Sequence, residues 1–110
     1  MRLLSRSEEL VLLTVWKLQD SAYCVPIRAE LTAVTGKSWS FGSVYDPLER
    51  LERKGLLTSS LTEPLPERGG RSKRIYHLTE RGKTALREIH SIQRALRESA
   101  PALGPKGGQG

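Results

Sequence analysis

Few side chains in this sequence could perform covalent or acid–base chemistry. Cys24, His77 and His90 are the evident candidates for a nucleophile, a base or a metal ligand. Their predicted elements keep them apart, with His77 on a strand and His90 on the last helix. A lone cysteine is usually a small packed hydrophobe, and a single one cannot build a multi-cysteine zinc site. Cys24 also stands near the expected start of a helix, which would lower its pKa and suit a redox role. A P-loop, a dinucleotide fingerprint, a zincin helix and a nucleophile elbow are all missing. The sequence therefore predicts no catalysis, no cofactor and no metal.

A second group of residues has a different chemistry. The run Pro66-Glu67-Arg68-Gly69-Gly70-Arg71-Ser72-Lys73-Arg74 sets two glycines among four cations. Glycines allow a tight turn and a close approach of backbone to a partner, and the cations neutralise phosphate. The whole chain of 110 residues has 18 Lys and Arg against 12 Asp and Glu, a net charge of +6 that suits a polyanion. The N-terminus lacks a signal-peptide pattern, and the apolar run Leu10 to Trp16 is too short to span a bilayer. A cytoplasmic protein with no membrane partner is expected.

The elements that must position these residues follow from spacing. Ser5 and Glu8 stand at capping-box separation before a helix carrying Leu10, Val11, Leu13, Val15, Trp16 and Leu18, which needs burial nearly all round. Asp20-Ser21 ends it. Ile27, Leu31 and Val34 mark a second helix stopped by Gly36. Ser40 caps a third helix with Val44, Leu48 and Leu51 inward and Gly55 closing it, Pro47 being expected near its first turn or at a bend. Strands are predicted over Leu56 to Thr62 and along Arg74-Ile75-Tyr76-His77-Leu78-Thr79, with the cationic run as the loop between them. Thr79 then caps a last helix whose apolar stripe, Leu86, Ile89, Ile92 and Leu96, has little to pack on in so small a domain. The predicted fold is mainly α with a small β-ribbon: a winged helix-turn-helix with a C-terminal dimerisation helix. Its divisions fall at 1–79, 80–99 and a disordered tail over 100–110, in which Lys106 is the one candidate for an extra contact.

Three blocks in order resemble the PadR family of bacterial transcriptional regulators: "SAYCVPIRAEL", "GSVYDPLERLERKGLL" and "ERGGRSKRIYHLTERGKTAL". They cover roughly residues 8 to 98, and the short last helix is similar to that of the compact subgroup. The resemblance implies a homodimeric repressor on double-stranded DNA, released by a small-molecule effector of unknown identity. Cys24 stands where the family usually has glycine, and the last helix lacks the aromatic residues with which some members hold planar drugs.

On this basis Ser40, Ser43 and Tyr45 are expected to approach bases or phosphates from the start of the third helix, helped by the helix dipole. Arg50, Arg53 and Lys54 would hold the DNA backbone. Arg68, Gly70, Arg71 and Lys73 would form the wing contact, with Arg74 solvated or paired to Glu67. Asp46 is repelled by phosphate and could only accept from a cytosine amino group. The plainer alternative makes Glu49/Arg53 and Arg50/Lys54 pairs on a solvated face. Leu10, Leu13, Leu86, Ile89, Ile92 and Leu96 would form the dimer interface, placing two third helices about 10 bp, or a multiple of that, apart on an inverted repeat. Trp16, Tyr23 and Trp39 are expected as packing residues. The rival function is a winged-helix protein-interaction module without specific DNA binding. An RNA-binding role is weakened by the shortage of exposed aromatics.

Overall fold

The computed structural model describes residues 3–62 and 72–104. Helix α1 spans Arg6–Leu18, and its capping box is complete: Ser5 Oγ accepts from the Glu8 N–H, and the Ser5 N–H donates to the Glu8 carboxylate at 2.8 Å. A 3-10 turn over Gln19–Ser21 ends it. Val11, Leu12 and Val15 enter the core, but burial does not extend around the helix. Leu13 faces solvent and Trp16, expected to pack, is 55% exposed. The other elements of so small a domain leave that side uncovered.

Helices α2, Cys24–Thr35, and α3, Phe41–Arg53, form the helix-turn-helix. The turn between them is held by side chains. Trp39 Nε1 donates to Thr35 Oγ1 at 3.0 Å, and Arg28 Nε donates to the Trp39 carbonyl. Val44, Leu48 and Leu51 of α3 are fully buried against Ile27 and Leu31 of α2 and the inner face of α1. Pro47, expected near the first turn or at a bend, lies inside the helix past its first turn and is itself buried. Its missing N–H leaves the Ser43 carbonyl without the usual helical donor. The helix closes with Gly55 at φ +78, where the Gly55 and Leu56 N–H groups donate back to the Glu52 and Leu51 carbonyls.

The ribbon consists of β1, Leu57–Leu61, and β2, Arg74–Leu78, antiparallel with Leu57 opposite Leu78 and Leu61 opposite Arg74. Alternation turns Leu57 and Tyr76 into the core. A backbone bond of 2.9 Å from Tyr76 N to the Ala22 carbonyl ties β2 to the start of the helix-turn-helix.

Helix α4, Glu80–Glu98, leaves the ribbon at Thr79, whose Oγ1 accepts from the Gly82 N–H and donates to the Gly55 carbonyl at 2.6 Å. The first turn of α4 rests directly on the link from α3 to β1: a Cβ on Gly82 would lie 2.1 Å from the Leu56 carbonyl oxygen. Only glycine fits there. Beyond Ile89, which is buried, the helix stands clear of the domain, with Ile92 and Leu96 in solvent.

Candidate nucleic-acid interface

The start of α3 presents polar groups outward because the cap uses only part of each. Ser40 Oγ accepts from the Ser43 N–H at 3.0 Å, so its own proton remains available to donate. Ser43 Oγ donates to the Ser40 carbonyl at 2.8 Å, so its lone pairs remain available to accept. Tyr45 and Asp46 are exposed beside them, and Glu49 and Arg53 continue the same side one and two turns on. Arg28 was not anticipated from the sequence. With Nε on the Trp39 carbonyl and its guanidinium carbon 4.6 Å from the Phe41 ring centre, it stands beside the first turn of α3. Its signal was weak: a single cation on α2, facing an aromatic pair in the following turn.

The far end of α3 behaves differently. Arg50 Nε and Lys54 Nζ reach the Glu8 carboxylate at 3.1 and 2.7 Å, and Glu8 is only 3% exposed. Burial would raise its pKa, but bonds from Lys54, the Ser5 N–H and Arg50 outweigh that and hold it at about 2. Arg50 and Lys54 were expected to point towards phosphate, or to form a solvated pair. They join α3 to α1, with the donors that Glu8 leaves over at the surface. Nothing in local spacing reveals this, since the carboxylate comes from a residue more than 40 positions away.

The ribbon is fastened to the helices along its strands, up to the end that leads into the loop. Lys73 Nζ sits 4.5 Å from the Tyr23 ring centre and 3.3 Å from its hydroxyl, so Tyr23 supports the ribbon in addition to packing. Arg74 donates to Ser59 Oγ at 2.9 Å, and Ser59 donates to Glu52 of α3 at 2.8 Å. Arg68, Gly70 and Arg71, with Glu67 and Gly69, lie outside the described residues, as does Lys106.

The remaining candidates are dispersed. Burial pushes the Cys24 thiol up and the charge of Arg28 only partly opposes it, the reverse of the shift a redox thiol would need. His77 lies 3.4 Å from exposed Asp20, and His90 is exposed on α4. Among the described residues no cluster of His, Cys, Asp or Glu could hold a metal ion, and no helix is long and apolar enough to cross a membrane. Leu10 and Leu86 are half-buried against the core, Ile89 is buried, and Leu13, Ile92 and Leu96 are exposed. The exposed ones, with Trp16, leave an uncovered apolar side on α1 and α4.

Three core helices, an antiparallel ribbon stitched to them and a capped, outward third helix define a winged helix-turn-helix protein. The transcriptional regulator PadR-like family matches residues 12–88, and the chain belongs to that family of DNA-binding regulators. Among solved structures, a PadR family transcription regulator from Clostridium difficile R20291 is similar at 24% identity, with a TM-score of 0.70 over 86% of this chain and 93% of that one. A PadR-like transcription factor from Bacteroides fragilis is similar at 25% identity and TM-score 0.69, covering 86% and 88%. RosR of H. salinarum follows at 25% identity and TM-score 0.65, covering 92% and 83%. No curated protein matches the chain.

Proposed function

We propose that the chain acts in the cytoplasm as a homodimeric repressor, reading an inverted-repeat operator with α3 in the major groove and the ribbon on the flanking backbone or minor groove. The observation that carries this is the outer side of α3. Ser40, Ser43, Tyr45 and Arg53 are exposed on a helix whose opposite side is fully buried, and the middle of β1 is fastened beside it through Ser59. An α-helix so mounted fits the major groove, where hydroxyls reach base edges and phosphates and Arg53 takes the backbone. Arg50 and Lys54 reach the same backbone with the donors Glu8 does not use. Lys73 extends the contact from the ribbon, and Arg68, Gly70 and Arg71 complete the wing. The uncovered side formed by Leu13, Trp16, Ile92 and Leu96 supports pairing of two copies, with Leu10, Leu86 and Ile89 at its inner edge. Residues 1–79 then form the reading head, 80–99 the dimerisation helix and 100–110 a dispensable tail. An effector acts by changing how the two copies meet.

Fluorescence anisotropy on a random duplex pool, across a salt series, tests this for wild type and Arg53→Ala/Lys73→Ala. With both protomers altered, four phosphate contacts are lost from the bound dimer, which is expected to flatten the slope of log K against log salt by about 3.6. Equal, weak binding by both proteins would favour the protein-interaction module instead. Sedimentation of the wild type should give the mass of two chains.

A further inference from the structure

We infer that Asp46 determines specificity on α3 by accepting a hydrogen bond from the exocyclic amino group of a cytosine in each operator half-site. This rests on the DNA-reading function proposed above.

The carboxylate has been left without its natural partner. Arg50 stands four residues further along the same helix, the spacing at which Asp and Arg normally pair. It is drawn away: Arg50 Nε bonds Glu8 at 3.1 Å. One turn before Asp46, Gly42 has no side chain and the Ser43 hydroxyl donates to the Ser40 carbonyl. One turn after it, Glu49 carries the same charge. Among the described residues Asp46 thus makes neither an ion pair nor a side-chain hydrogen bond, although it lies in the middle of the exposed stripe Gly42, Asp46, Glu49 and Arg53.

A free carboxylate between two rows of phosphates is repelled unless it accepts a hydrogen bond there. The major groove offers two amino donors, adenine N6 and cytosine N4. Adenine sets its donor beside the N7 acceptor, which opposes a carboxylate oxygen. Cytosine N4 has no acceptor on its own ring edge in the groove. Guanine and thymine present only acceptors at the corresponding place, so the same charge that welcomes cytosine rejects them. Ser43 and Tyr45 flank Asp46 and are placed to hold the helix at the depth this contact needs.

The test is selection from random duplexes by wild type, Asp46→Ala and Asp46→Asn, followed by anisotropy on single-base variants of the selected half-site. Wild type should select a cytosine whose replacement by thymine weakens binding about tenfold. In Asp46→Ala that ratio should fall to near one at this position alone. Asp46→Asn, which can both donate and accept, should move the preference there towards adenine. Asp46 is exposed, so both variants should fold, and circular dichroism checks that their spectra match wild type. A wild-type motif with no position altered in either variant would overturn the assignment while leaving DNA reading intact. If wild type selects no motif, DNA reading itself fails and the assignment fails with it.

Discussion

The two halves of α3 have opposite fates. In the second half Arg50 and Lys54 are bound to a buried carboxylate of α1, and Gly55, Leu56 and Thr79 fasten the helix end to the ribbon and α4. In the first half the polar side chains satisfy the cap and then face outward, with Asp46 unpaired among the described residues. A helix that reads a partner must be rigid without being fully engaged. Here rigidity is supplied at one end and chemistry displayed at the other. Cations counted along the sequence therefore miss that two of those on α3 also serve a buried carboxylate of α1.

That contrast can be broken or sharpened by substitution. The largest effect is expected for Gly82→Ala, whose methyl would collide with the Leu56 carbonyl and push α4 off the link between α3 and β1. A loss of about 3 kcal/mol or more should appear as a lower urea midpoint. Next is Glu8→Gln, which keeps the capping geometry but removes the charge that Arg50 and Lys54 share. About 2 kcal/mol should be lost at neutral pH. The sign of its pH dependence is fixed. With a folded pKa of about 2 against an ordinary 4.5, Glu8 stabilises above the higher value, and its contribution disappears as pH falls towards the lower. The stability gap between wild type and Glu8→Gln should close over that interval in pH-dependent urea titrations. The smallest effect on folding is expected for Ser40→Ala, about 1 kcal/mol for the lost cap. It should instead weaken duplex binding, measured by anisotropy. If Ser40→Ala destabilised as much as Glu8→Gln, the two halves of α3 would not differ in the way described.

Much of the architecture was legible because its signals are local. The Ser5–Glu8 box, the Ser40 and Thr79 caps, Gly55 and the Val44, Leu48, Leu51 spacing each involve residues a few positions apart. Long-range pairings were not legible. The hold of Glu8 on Arg50 and Lys54, and of Tyr23 on Lys73, joins residues at opposite parts of the sequence, and their types alone suggested solvated charges and a core aromatic. Trp16 misled for a related reason: hydrophobicity predicts a wish for burial, but the domain is too small to grant it. Spacing left Pro47 near the first turn or at a bend; it lies inside the helix, where its ring fills a buried position and offsets the lost backbone bond.

The seat of Gly82 on the Leu56 carbonyl has a mechanical consequence. With no side chain between them, and Thr79 pinned to Gly55, α4 has no joint at its root. It is a stiff lever, about 28 Å long for its 19 residues, rigidly welded to the reading head. When two such levers are clasped along their length, a tilt of about 10° swings the heads by about 5 Å, over one base-pair step of the duplex. Small forces at the clasp would then be geared up into lost phase with the DNA repeat.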